Sequence, residues 1–521
     1  MSGETRTSAM LFKDLDFGPD DAKGDTRLAE YFVRIPEYEH VRAGDACFVI
    51  GRKGTGKTAI CEMIHDEART RPDLFAVLLT FKNSPSADLF ASNDKSFRSP
   101  NEYISIWRFL IVLELAKLML KDESIDSRMR LALDSFLQLN FGNLEVASLE
   151  AVSSLRQREW KLGLDLADLG PLSLPSAEAG RSSVDASVTR IHFGRASAAL
   201  LERLLRLQSD NEFFLLFDEL DEDYIDDPRY YHLLISLFKA AYQIKQEIRG
   251  GLKVRPIVVL RQDIFSKLDD HDLNKMDDAT VHLRWAPLPS PHSEFSLRNL
   301  VNERLRANLG IRLDGDLWQN AVDEDHWGGP GSSAWAYLLN RTMDRPRDIV
   351  KSLKCCQPFE SQEQLSVRAI SLARIDYSRW LASEVGNEIF RELPEYRAAY
   401  GVLTHLGKQR FSLQDWRSEF GKNEVLVGSR HSAEQVLEIL YNYSVVGMLK
   451  RDRWLFKFKT PQVDFDRGCA NFTVHMGFNK QFVIRERLPW DVSEAARMAR
   501  GPAAGVIKGS ENKNDSIRRR G

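Results

Sequence analysis

Short unbroken runs of apolar residues alternate with stretches in which leucines recur every three or four positions. Ala46 to Ile50, Leu74 to Phe81, Phe213 to Phe217, Val254 to Leu260 and Thr280 to Trp285 read as five strands. The apolar character of Phe213 to Phe217 is that of a strand buried on both faces of a parallel sheet. Helical spacing is found in Ala59 to Ile64, Ile104 to Leu120, Arg128 to Leu139, Ile191 to Leu207 and Leu297 to Leu309. The last carries Leu297, Leu300, Val301, Leu305 and Leu309 on one face. Thr26 to Val33 predicts a short helix, and the glycines and prolines of 163–185 predict a loop or irregular insert. Strands alternating with helices make this part α/β, with a parallel sheet.

The pattern changes in the last third. Pro394 to Leu406 predicts one helix, and Phe411 to Trp416 opens a second with Ser412 as N-cap and Asp415 three residues on. Ser432 to Tyr443 predicts a third, with Val436, Leu437, Leu440 and Tyr441 turned inward. Val446 to Lys450 and Trp454 to Lys459 alternate with period two around Arg451-Asp452-Arg453, a hairpin. Three helices followed by a hairpin read as a winged helix, to which part of 470–490 adds a strand. The expected organisation is a core over 1–310 with a helical insertion at about 84–210, a helical lid over 311–375, a winged-helix domain over 376–490, and a disordered tail over 491–521.

Length agrees with this division: 521 residues call for two to four domains. No apolar stretch has the length of a membrane span, and Met1 to Met10 lacks the pattern of a signal peptide. The five cysteines, at 47, 61, 355, 356 and 469, form no Cys-x-x-Cys pair, which fits a reducing cytoplasm. A net charge of −3 argues against a globally basic nucleic-acid binder.

The chemistry is concentrated in a few places. Gly51-Arg52-Lys53-Gly54-Thr55-Gly56-Lys57-Thr58 reads G-x-x-x-x-G-K-T, a Walker A loop between a strand and a helix start. Its backbone N–H groups would surround a phosphate, Lys57 would reach the β- and γ-phosphates, and Thr58 would ligate Mg²⁺. The apolar run 213–217 ends in Asp218-Glu219, a Walker B pair: Asp218 for Mg²⁺, Glu219 as the general base that activates water. Arg261, at the end of 254–260, stands where a group could sense the γ-phosphate, or else it caps the strand. In Asp344-Arg345-Pro346-Arg347-Asp348, Pro346 fits a helix N-terminus, and Arg345 or Arg347 could lie over the phosphates. Asn274-Lys275-Met276-Asp277 matches a guanine-reading motif but lacks the buried strand that motif needs before it, so ATP is expected rather than GTP.

Together, Gly51 to Thr58, Asp218-Glu219, Arg261 and the segment 345–347 resemble the AAA+ and STAND-type P-loop ATPases, most closely their prokaryotic, origin-recognition-like branch. The resemblance covers roughly residues 30–480. It implies an ATPase using ATP and Mg²⁺, sensor arginines at 261 and at 345 or 347, and a further strand, 74–81 or 257–260, between those carrying the two Walker motifs. The excursion at 84–210 is longer than in a minimal core, and no trans-acting arginine finger is evident, which favours a STAND-like switch gating a protein partner or self-assembly. The alternative is an ATP-dependent DNA-binding protein. Its third helix offers Glu434 and Glu438 and no base-reading cation, whereas Lys450, Arg451, Arg453, Lys457 and Lys459 make the hairpin basic enough to touch phosphates.

Overall fold

The computed structural model describes residues 10–80, 100–141, 193–220, 228–248, 251–285, 296–309, 315–324, 327 and 333–486. The expected insert at 163–185 and tail at 491–521 lie outside these residues. The chain divides into two compact units, Asp14–Trp318 with Asp344–Lys354, and Gln319–Met343 with Cys355–Gly521 and Met1–Lys13.

The first unit is α/β. Its five strands are β1 (Phe48–Gly51), β2 (Leu74–Thr80), β3 (Glu212–Asp218), β4 (Lys253–Arg261) and β5 (Thr280–Leu283). They form one sheet in the order β2-β3-β4-β1-β5, and every pairing is parallel. The strand between β1 and β3 is β4, which resolves the choice between 74–81 and 257–260. Burial gives the reason: Ile257, Val258, Val259 and Leu260 are all buried, as an inner strand requires, whereas β2 is only partly covered beyond Leu74 and lies at the edge.

Pro256 sits inside β4 without breaking the sheet. The N–H of Val258 donates to the Cys47 carbonyl (2.8 Å), where the β1 ladder begins. Pro256 points the same way two residues earlier, before that ladder starts, so its missing donor costs no strand bond.

Among the described residues, the longer helices of this unit are α1 (Pro36–Ala43), α2 (Lys57–Thr70), α3 (Pro100–Leu120), α4 (Ser127–Phe141), α5 (Phe193–Leu204), α6 (Pro228–Glu247) and α7 (Leu297–Leu309); α8 (Pro346–Cys356) brings in residues from far along the chain. The α6 helix is not among the expected elements, although Leu233, Leu234, Leu237, Phe238, Ala241 and Ile244 recur at helical spacing and are buried. Its Phe238 ring stacks on Phe48 of β1 at 4.6 Å, and the indole N–H of Trp107 on α3 donates to the Leu233 carbonyl (3.1 Å). Beyond α3, the buried Asp122 carboxylate accepts from the Ser209 hydroxyl (2.5 Å) and the Asn211 amide (2.9 Å), tying the turn after α3 to the residues that lead into β3.

The second unit holds α9 (Val367–Ile389), α10 (Tyr396–Leu406), α11 (Leu413–Phe420) and α12 (Ala433–Asn442), with an antiparallel sheet of β6 (Arg410–Ser412), β7 (Val446–Lys450), β8 (Arg453–Leu455) and β9 (Asn471–Val474) in the order β6-β9-β7-β8. Ser412 caps α11 as its sequence predicts. Its hydroxyl accepts from the Asp415 N–H (3.1 Å), and the Asp415 carboxylate accepts from the Ser412 N–H (3.0 Å). Trp416, Leu437, Leu440, Met448 and Phe472 share the core.

The second hairpin strand is shorter than expected, ending at Leu455 rather than Lys459. The N–H groups of Lys459 and Thr460 both donate to the Phe456 carbonyl (3.0 Å), and the Phe458 N–H donates to the Ser444 hydroxyl (3.0 Å), so the backbone turns away from the ladder. At the hairpin tip, Arg451 and Asp452 have φ of 49° and 59°. A two-residue turn with both φ values positive favours Asn-Gly, and left-handed backbone costs other residues about 1 kcal/mol. Arg451→Asn with Asp452→Gly is therefore expected to raise stability by about 1 kcal/mol, measured as a higher denaturant midpoint. No helix of the described residues is long and apolar enough to cross a membrane.

Candidate functional site

The parallel strands of the first unit place the C-terminal ends of β1, β3 and β4 on one end of the sheet, and the candidate residues gather there. The loop 51–56 connects β1 to α2. Gly51 must be a glycine: a Cβ there would lie 2.5 Å from the Thr55 hydroxyl and 3.1 Å from Leu283. Gly54 has a φ of 78°, and a side chain on it would press against Arg347 at 3.0 Å. Two further bonds hold the turn, from the Thr55 hydroxyl to the Arg52 carbonyl and from the Trp285 indole N–H to the Thr55 carbonyl, both at 2.8 Å. The Lys57 ammonium folds over the loop and donates to the carbonyls of Gly51 and Arg52 (3.1 Å each). Thr58 follows in the first turn of α2, half-buried.

Asp218 ends β3 and is buried; one of its carboxylate oxygens accepts from the Glu219 N–H (2.8 Å). It lies within electrostatic range of Cys61 and Glu62 on α2, and Cys61 also feels Lys57. Burial, with the nearby Asp66 and Asp218 carboxylates, raises the Glu62 carboxyl above its ordinary range. Glu219 has a φ of 55°, a left-handed conformation that is uncommon outside glycine. Both of its carboxylate oxygens accept from the Lys23 ammonium, at 2.8 and 3.0 Å.

Arg261 ends β4 and is buried. Its guanidinium donates through Nε and a terminal nitrogen to the two oxygens of Asp263 (3.0 and 2.6 Å). Burial works to raise the Asp263 carboxyl, but Arg261, with a weaker contribution from Lys57, holds it below the usual carboxylate range. The sequence singles out Arg261 and passes over Asp263, two residues away, which orients it.

The two arginines at 345 and 347 occupy different roles. Arg345 is 1% exposed and clamps Asp348, with Nε at 3.0 and 2.9 Å from its two oxygens, while another nitrogen donates to the Lys53 carbonyl (3.2 Å). It is a buttress of the loop. Arg347 lies against Gly54, donates to the Asp20 carbonyl (3.0 Å), and remains partly exposed. Of the two, Arg347 is the more exposed and is the one that lies against a loop glycine.

Helix α8 also fixes the lead-in segment. Lys351 and Lys354 each place an ammonium 2.8 Å from the Asp20 carboxylate, and Lys354 also donates to the Gly18 carbonyl (3.1 Å). Burial alone would raise the Asp20 carboxyl; the two ammoniums hold it below its ordinary range. Lys23, Asp20 and Trp285 are site residues without a local sequence signal, since their partners lie far along the chain. The Arg345–Asp348 pair does carry a signal, the i,i+3 spacing of opposite charges in a first helical turn.

These side chains suit a polyphosphate with a divalent cation. The loop offers backbone donors and an ammonium, and Thr58 with Asp218 offers a hydroxyl and a carboxylate oxygen, the hard donors such a cation takes beside phosphate. Among the described residues, no group of three or more His, Cys, Asp or Glu is placed to hold a metal ion by itself.

Comparison with known proteins adds two likenesses. Residues 296–386, which run from α7 into α9, match the family described as FunZ-associated C-terminal helical domain. Over 487 residues, 87% of this chain, the sequence is 21% identical to a protein of Escherichia coli named "Putative transposon gamma-delta 80.3 kDa protein". The chain spans 65% of that relative's length.

Proposed function

We propose that this chain binds ATP with Mg²⁺ and hydrolyses it as a regulatory switch of the AAA+ or STAND type, coupling nucleotide state to a protein partner or to self-assembly. One observation carries the reading. The loop Gly51 to Thr58 at the end of β1 and the pair Asp218-Glu219 at the end of β3 share one end of a parallel sheet, with β4 and its terminal Arg261 between them. Ligands of open α/β sheets bind at the carboxyl ends of the strands, and the interposed strand is what the resemblance to P-loop ATPases implies. The first unit is then the nucleotide-binding core. In the second, α10 to α12 followed by the β7–β8 hairpin support a winged-helix reading.

On this reading Lys57 leaves the Gly51 and Arg52 carbonyls for the phosphates, and backbone N–H groups at Gly54 to Lys57 bind phosphate oxygens. Thr58 and Asp218 would hold Mg²⁺, which would supply positive charge to offset that of the phosphates. Glu219 takes the proton of the attacking water. Arg261, aimed by Asp263, and Arg347 read the terminal phosphate.

The test begins with binding. Lys57→Ala is expected to weaken ATP affinity about 10- to 100-fold, the worth of charge-assisted hydrogen bonds to phosphate, as measured by calorimetry against wild type. Absence of ATP binding by wild type would sink the reading.

A second reading, ATP-dependent DNA binding, is favoured by the second unit. Arg451, Arg453 and Lys459 are exposed on and beside the hairpin, and the acids of α12 are matched by arginines, Glu434 by Arg417 (2.6 Å) and Glu438 by Arg467 (3.1 Å). The transposon in the relative's name makes duplex DNA the effector to try first. Turnover stimulated by DNA, with affinity falling steeply as salt rises, would move the assignment to this reading; turnover indifferent to DNA leaves the switch reading in place.

A further inference from the structure

Glu219 is the residue assigned to proton abstraction, yet in this conformation both of its carboxylate oxygens are engaged by one ammonium. Lys23 Nζ lies 2.8 Å from one and 3.0 Å from the other. A carboxylate clamped in this way has a lone pair on each oxygen engaged, and the ammonium fixes its orientation. The clamp comes from a segment, Gly18 to Lys23, that precedes every motif of the site.

That segment is built to hold its place. The Lys23 N–H donates to the Asp21 carboxylate (3.3 Å), closing a turn. Asp20 is gripped by Lys351 and Lys354 on α8, and its carbonyl accepts from Arg347 (3.0 Å). Arg347 is also the side chain lying against Gly54. One helix therefore touches the phosphate-facing loop and the segment that carries Lys23. The Lys23 side chain is 54% exposed and that of Glu219 is 17% exposed, so the pair is weak enough to open.

We propose that Lys23 is an autoinhibitory latch on Glu219, released through Arg347. The proposal rests on the nucleotide reading of the site given above. Arg347, turning from the Asp20 carbonyl toward a phosphate on the loop, removes one anchor of the segment. The turn at 20–23 loosens, Lys23 leaves Glu219, and the carboxylate becomes available to water. Lys23 is thus a positioning residue: it acts on the reaction only through Glu219, and its removal raises turnover instead of lowering it.

Two measurements on the full chain test this. In steady-state kinetics, Lys23→Met is expected to raise kcat about two- to fivefold, the range over which an exposed ion pair biases an equilibrium, with KM for ATP unchanged; Lys23→Arg keeps wild-type turnover. In hydrogen exchange, backbone amides of 18–24 are expected to exchange faster in wild type with a non-hydrolysable ATP analogue and Mg²⁺ than without. Turnover of Lys23→Met equal to or below wild type overturns the latch, and so does exchange at 18–24 that the analogue leaves unchanged or slows. ATP binding by wild type separates the two levels of inference. Without it the nucleotide reading falls and takes the latch with it; with it, either contrary result removes the latch alone.

Discussion

Glu219→Gln is expected to lower ATP turnover by about 10²- to 10⁴-fold, the contribution of a positioned general base, while ATP affinity stays within a few-fold of wild type. The amide keeps the size and most of the hydrogen-bonding capacity of the carboxylate but cannot take a proton from water. Glu219 follows the buried Asp218 with a left-handed backbone (φ 55°), and its carboxylate pairs with Lys23. Binding and chemistry should therefore separate: Lys57→Ala loses affinity, and Glu219→Gln loses turnover. The loss of the Lys23 contact works in the opposite direction, since it frees the position, but a latch effect of a few-fold cannot offset loss of the base. Turnover of Glu219→Gln within threefold of wild type, in protein shown to bind ATP, would remove Glu219 from the chemistry.

Asp348→Ala is expected to destabilise the first unit by about 3–5 kcal/mol, the typical cost of removing one partner from a buried ion pair. Arg345 and Asp348 have side chains 1% and 0% exposed, so the guanidinium would remain in the interior without the carboxylate that neutralises it. Because Arg345 also donates to the Lys53 carbonyl, the loop loses a support and ATP affinity should fall with stability. The decisive comparison is Arg345→Met combined with Asp348→Leu. If the cost of the single change comes from the stranded charge, the apolar double variant loses much less stability in chemical denaturation than Asp348→Ala alone, while still weakening ATP. A double variant at least as unstable as the single one would show instead that the ion pair itself contributes net stability.

Helix α8 connects these expectations. Arg345, just before the helix, donates to the Lys53 carbonyl of the loop, Arg347 in its first turn lies against Gly54, and its later turns grip Asp20 through Lys351 and Lys354. The span 296–386, matched to the FunZ-associated C-terminal helical domain, includes this helix. Part of that span therefore packs against the candidate site.

Much of the site is legible in the sequence. The glycine spacing of 51–58, the apolar run ending in Asp218-Glu219, and the end of the strand at Arg261 are local patterns. Each depends on a local physical demand: a backbone that must turn with positive φ, a strand that must be apolar on both faces, a charge that must stand where the strand leaves the sheet. The helices α6 and α9 are absent from the expected elements although their buried apolar residues recur at helical spacing, and although Pro228 opens one and Ser366 caps the other. The early end of β8 is not legible, because it depends on the Phe458 N–H finding the Ser444 hydroxyl, a pairing across the chain.

Residue order alone is enough for an α/β unit with five strands, the loop that suits phosphate, the acidic pair across from it, and the capped helices and hairpin near the C-terminus. It takes the folded chain to put β4 between β1 and β3, to aim Arg261 with Asp263, to make Arg345 a buttress while Arg347 faces the loop, and to set Lys23 on Glu219. The reason is physical. Periodicity records how deeply a residue is buried and on which face, and glycine and capping residues record local backbone geometry. Neither records which distant group a charge will meet, and the contacts that aim this site join residues such as Lys23 and Glu219, 196 positions apart, which only folding brings together.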